Sequence, residues 1–128
     1  LVVTPEPTSI MDSFGVVKAL AAEKERLKVK LVINMVRERS DARHVLSTLQ
    51  TVTRQFQNVE FEYAGSVSED PAVSKSVRHQ QPVVLHAPAS HAARDIEKLA
   101  MNLANYEVDF RTEKGLWAWV LKIFSLLK

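Results

Sequence analysis

The chain has 128 residues, of which 46% are apolar and 25% charged, with a formal net charge of +2. That length allows one domain with a core of its own and not two. Cations interleaved with acids, densest at Glu23 to Arg26 and Arg37 to Arg43, read as solvated surface and leave nucleic acid an unfavoured partner. The absence of cysteine excludes disulfides and thiolate metal sites and fits a reducing cytoplasm. Leu1 to Pro7 has neither the charge nor the length of a signal peptide. No uninterrupted apolar stretch reaches the roughly 20 residues that span a bilayer.

Leu1, Val2 and Val3 read as the end of a buried strand with no lead-in, so the chain is expected to begin where a larger domain was interrupted. Ile10, Phe14, Val17, Leu20 and Ala21 follow at helical spacing, with Pro7, Thr8 and Ser9 as start signals. The run Val29 to Val36 is nearly continuous in aliphatic residues, which is how a parallel strand covered on both faces reads. A second helix carries Ala42, Val45, Leu46, Leu49, Val52 and Phe56, with Ser40 or Asp41 as its expected cap. Val59 to Ala64 is the third strand, and Pro71 to Arg78 a short helix. Ala92, Ala93, Ile96, Leu99, Ala100 and Leu103 mark a helix after Ser90. Strands alternating with helices predict an α/β fold: about three parallel strands flanked by helices, with ligands beyond the carboxyl ends of the strands. That rule selects the segments Thr4 to Ser9, Asn34 to Asp41 and Gly65 to Pro71.

A phosphate-binding loop needs closely spaced glycines followed by Lys and Ser or Thr. Gly15, Gly65 and Gly115 are far apart, and neither G-x-x-x-x-G-K nor G-x-G-x-x-G occurs. His44, His79, His86 and His91 show no metal-ligand spacing and read as surface or capping residues. Glu69-Asp70 before Pro71 reads as a turn and helix start, with Asp70 the cap.

Lys114 to Lys128 reads K-G-L-W-A-W-V-L-K-I-F-S-L-L-K. At roughly 100° per residue, Lys114, Ala118, Lys122, Ser125 and Lys128 gather on a narrow stripe. Leu116, Trp117, Trp119, Val120, Ile123, Phe124, Leu126 and Leu127 occupy the wide apolar face. Such a helix suits a membrane interface, with its acid-free stretch favouring anionic lipid. Docking into a groove of its own domain, or of a partner, remains open on pattern alone. The polar, aperiodic stretch 105–113 before it reads as a linker.

Four segments in order resemble the MinD/ParA-type ATPases, nearest the flagellar-number branch of the FlhG/FleN (YlxH) type. V-V-T-P-E-P-T-S-I-M-D-S-F, Val2 to Phe14, is similar to the strand, turn and helix after that family's second switch. L-V-I-N-M-V looks like its strand ending in an asparagine that contacts adenine. Glu62 to Val83 is similar to the family stretch with G-x-(I/V)-x-x-D, and Pro88 to Ile96 to the opening of its last core helix.

The resemblance covers residues 1–104, and implies a C-terminal portion of such an ATPase without its Walker A loop, switches and catalytic acids. It implies ATP and Mg as cofactors of the intact protein and a homodimer. It also implies a membrane-targeting helix at 114–128, flagellar assembly components as partners, and a cytoplasmic location at the inner face of the cell membrane. For the nucleotide it points to Asn34 and to the loop Ser66, Val67, Ser68, Glu69, Asp70 and Pro71. The 128 residues by themselves are expected to be catalytically inactive. The rival readings are a stand-alone membrane- or protein-interaction module without nucleotide, and a piece of a cell-division or chromosome-partitioning ATPase.

Overall fold

The computed structural model describes residues 1–104. The linker expected at 105–113 and the amphipathic helix expected at 114–128, with its eight apolar residues, lie outside the described residues. In chain order the elements are β1 (Val2–Val3), α1 (Pro7–Glu23), β2 (Leu27–Val36), α2 (Arg39–Thr53), β3 (Val59–Ser68), α3 (Pro71–Arg78), α4 (Val83–His86) and α5 (His91–Ala104). The strands form one parallel sheet in the order β1-β2-β3. The α/β class and the three-stranded parallel sheet expected from the sequence are present.

Alternation along β2 divides its side chains between the two sheet faces. Val29, Leu31 and Ile33 are buried on one face. There Leu31 and Ile33 join Val3 of β1, Ile10 of α1, and Val45 and Leu49 of α2 in one core. On the other face Lys28 is exposed, and Lys30, Val32 and Asn34 are half-buried. Among the described residues, the face of β2 that carries Val29, Leu31 and Ile33 is covered more fully than the other. The physical reason is that α5 packs chiefly on β3.

That packing is close. Ala92 and Ala93 are fully buried, and a Cβ placed on Gly65 would lie 3.2 Å from Leu99 Cδ1. Asn102 Nδ2 donates to the Ala64 carbonyl (3.1 Å), and the Ser68 N–H donates to Asp95 Oδ2 (3.0 Å). Side chains of α5 thus occupy backbone groups of the outermost strand, which closes them to a further strand.

Local signals account for the helix ends. Pro7 opens α1, where a missing N–H costs nothing. Asn58 Nδ2 closes it by donating to the carbonyls of Ala21 (2.8 Å) and Lys24 (2.7 Å). The cap of α2 is Glu38, in a reciprocal capping box with Asp41, and not Ser40 or Asp41 as expected. Asp41 instead sits in the first turn, where its Oδ2 accepts from the N–H groups of Arg37 (3.0 Å) and Glu38 (3.1 Å). Those bonds hold its carboxyl below the ordinary Asp range. Phe56 lies beyond the helix and packs on Phe14 with centroids 6.0 Å apart.

Candidate functional site

The carboxyl ends of β2 and β3 meet the start of α3, and the cavity between them has a volume of about 880 Å³. Asn34, Met35 and Arg37 line it from β2 and the turn after it. Ser68, Glu69, Asp70 and Pro71 line it from the end of β3, with Val73, Ser74, Lys75 and Arg78 from α3. Asn34 is half-buried, and its side-chain amide has no hydrogen-bond partner among the described residues. It keeps both a donor and an acceptor for a ligand. The alternative role, an asparagine capping its own turn, is not the one adopted.

The backbone at this edge is irregular for an identifiable reason. Met35 has a φ of 59°, in the left-handed region that a methionine seldom enters. The strand register slips between Ile33 and Val36, and pairing resumes at Val36 with Ser68. Backbone strain of this kind collects at ligand sites. Across the gap, Arg37 Nε donates to Glu69 Oε2 in a close ion pair. The hydrogen bond to Glu69, and then its charge, raise the Arg37 guanidinium above its ordinary value. The pair ties the two strand ends together at the mouth of the cavity.

Asp70 is the cap anticipated from the sequence, and it caps two helices. Oδ1 accepts from the N–H of Ala72 in α3 (2.8 Å), and Oδ2 from the N–H of Ala92 in α5 (3.2 Å). These backbone bonds, Ala72 first, hold its carboxyl below the ordinary range.

The structure brings Asn34 together with Ser68, Glu69, Asp70 and Pro71, and separates Ser66 and Val67 from them. β3 runs on to Ser68, so Ser66 to Ser68 are strand and not loop. Val67 is buried, and Ser66 lines a different cavity. A polar G-S-V-S stretch after a glycine concealed that extension. Lys75 and Arg78 were not anticipated, and Arg37 only as a member of the segment Asn34 to Asp41. Arg37 and Glu69 could have been paired from their places just past the ends of adjacent parallel strands.

Among the described residues no group of three or more His, Asp or Glu could hold a metal ion. His79 and His86 stack on each other at the surface, with centroids 4.7 Å apart. No helix among the described residues is long and apolar enough to cross a membrane.

The architecture around this cavity is a parallel α/β fold, with helices packed against a three-stranded sheet. The fold is similar to that of the MinD cell division protein of Aquifex aeolicus, with a TM-score of 0.61 and 22% identity. That alignment covers 84% of this chain and 43% of the other. In sequence the chain is similar to the antiactivator FleN of Pseudomonas aeruginosa, 29% identical over 106 residues. The match takes in 83% of this chain, which spans 38% of the length of FleN. No protein-family model matches. Sequence and fold agree on a resemblance to the C-terminal part of MinD/ParA-type ATPases near the FlhG/FleN branch.

Proposed function

We propose that this chain is the C-terminal portion of a membrane-associated MinD-like ATPase that regulates flagellar number or placement, and that it carries the base-reading side of the nucleotide site. The observation that carries the reading is Asn34. Its free amide faces a cavity shared with Ser68, Glu69, Asp70 and Pro71, beyond the carboxyl ends of parallel strands. The residues present fit the edge of a purine and do not fit a triphosphate, because no glycine-rich loop supplies the N–H groups that phosphates need. In this reading ATP and Mg bind the intact protein, the phosphate cradle comes from residues outside these 128, and the chain alone is inactive.

The name of FleN, an antiactivator, supports a regulatory role over a metabolic one. Homodimerisation, flagellar assembly components as partners, and a cytoplasmic location at the inner membrane face belong to the same proposal. So do the linker at 105–113 and the membrane helix at 114–128.

The test uses a protein that joins this chain to a phosphate-binding half. Asn34→Ala should weaken ATP binding about tenfold, as loss of a hydrogen-bonding pair at a buried edge does, and leave pyrophosphate binding unchanged. Equal ATP affinity in both proteins rejects the base-reading role. For the tail, the full chain should float with liposomes containing anionic lipid, and a chain lacking 114–128 should not. Equal flotation of the two removes the membrane claim and favours an interaction module.

A further inference from the structure

A second cavity, of about 820 Å³, shares only Arg37 and Ser68 with the first. Arg39, Arg43 and Leu46 recur at helical spacing along α2 and form one wall. Tyr63 and Ser66 form part of the floor. They are three residues apart, yet share a sheet face. Leu31 pairs with Tyr63 and Ile33 with Ser66, so the irregularity at Ala64 and Gly65 absorbs the extra residue. Asp95 of α5 closes the far side. Its Oδ2 is engaged by the Ser68 N–H and hydroxyl (2.6 Å).

Three features of this lining have no structural use. Arg39 and Arg43 form no ion pair among the described residues. The Ser66 hydroxyl has no hydrogen-bond partner there. Tyr63 is 45% exposed, although its partner across the sheet, Leu31, is fully buried. Two guanidinium forks match a phosphate, an open aromatic ring matches a flat heterocycle, and a free hydroxyl can read a polar edge. The volume lies within the roughly 300–1,000 Å³ of small-molecule sites.

We propose that this cleft binds a phosphorylated ring compound of mononucleotide size, stacked on Tyr63 with its phosphate held by Arg39 and Arg43. An extended acidic peptide is a poorer occupant, because Asp95 and Asn102 already occupy backbone groups of β3 that strand addition would use. A long polyanion is poorer too. The two free arginines are one helical turn apart, about 6 Å, which spans one phosphate and not a row of them. The proposal does not depend on the role given to Asn34.

The test is a titration of the isotope-labelled 128-residue chain, followed by amide NMR, with AMP, GMP, adenosine and pyrophosphate in turn. AMP or GMP should shift the amides of Arg43, Tyr63 and Ser66 saturably and leave those of Asn34 and Asp70 in place. Adenosine and pyrophosphate should each bind at least about tenfold more weakly, since each lacks one of the two contacts. Tyr63→Ala should lose about tenfold in affinity, and Tyr63→Phe should bind as the parent does. The exposed double change Arg39→Glu with Arg43→Glu should abolish the shifts, and the same spectra report whether the fold survives. The proposal is overturned if no nucleotide at millimolar concentration moves these three amides, or if pyrophosphate moves them as strongly as AMP. Shifts confined to Asn34, Glu69 and Asp70 also overturn it, and leave the Asn34 site standing.

Discussion

Both carboxylate oxygens of Asp70 hold helix N-termini, one in α3 and one in α5, so a single side chain ties the segment after β3 to two helices. Because those N–H groups favour the ionised form, its folded carboxyl titrates below the ordinary Asp value of 3.8. A depressed folded value means that the contribution is complete above the ordinary value and is lost as pH falls through the folded one. Asp70→Asn should therefore lower the melting temperature at neutral pH. The gap to the parent should narrow as pH falls below about 4, as thermal melts across that range would reveal. A gap constant down to about pH 2 would show that charge at this position is immaterial. The capping role itself was legible in D-P before an apolar-periodic stretch. The second helix held by Asp70 was not, because Ala92 lies 22 residues away in sequence.

At the level of elements, α2 is held by Val45 and Leu49, both fully buried against Leu31 and Ile33. Leu49→Ala should cost about 2–5 kcal/mol, the transfer term plus the cavity left behind. Leu85, 76% exposed in α4, should cost less than about 0.5 kcal/mol on the same change. Urea denaturation of the two variants checks the contrast, and equal losses would mean that the packing of α2 on the sheet is not what stabilises it. Periodicity located α1, α2 and α5 through their apolar positions, and α3 was expected as a short helix after the D-P start. It missed α4, a single turn of four residues, and it stopped β3 at Ala64. Beyond that point the residues are small and polar. What keeps them in the strand is pairing of Ser66 with Ile33 and Ser68 with Val36, together with Asp95 on the Ser68 N–H.

For the whole molecule, the two sides of the sheet are unequal. α5 guards β3, whereas β1 has one neighbour among the described residues, β2, and leaves Val2 63% exposed. An apolar strand edge of this kind seeks another strand. The 128-residue chain should self-associate at high concentration, and Val2→Lys should reduce the effect. Strictly monomeric light scattering at every concentration would sink the idea. The sequence by itself determined the order of strands and helices, the parallel α/β class and the resemblance to MinD/ParA-type proteins. It also determined that no phosphate-binding loop occurs within these residues. Those properties reside in local pattern and composition. Tertiary structure decided that the amide of Asn34 meets no partner among the described residues and that Arg37 closes on Glu69. It also decided that Ser66 faces a cavity away from Asn34, with Tyr63 and two arginines that form no ion pair among the described residues. Each of these depends on strand register and helix placement, which bring together residues tens of positions apart, and no local pattern encodes such distances.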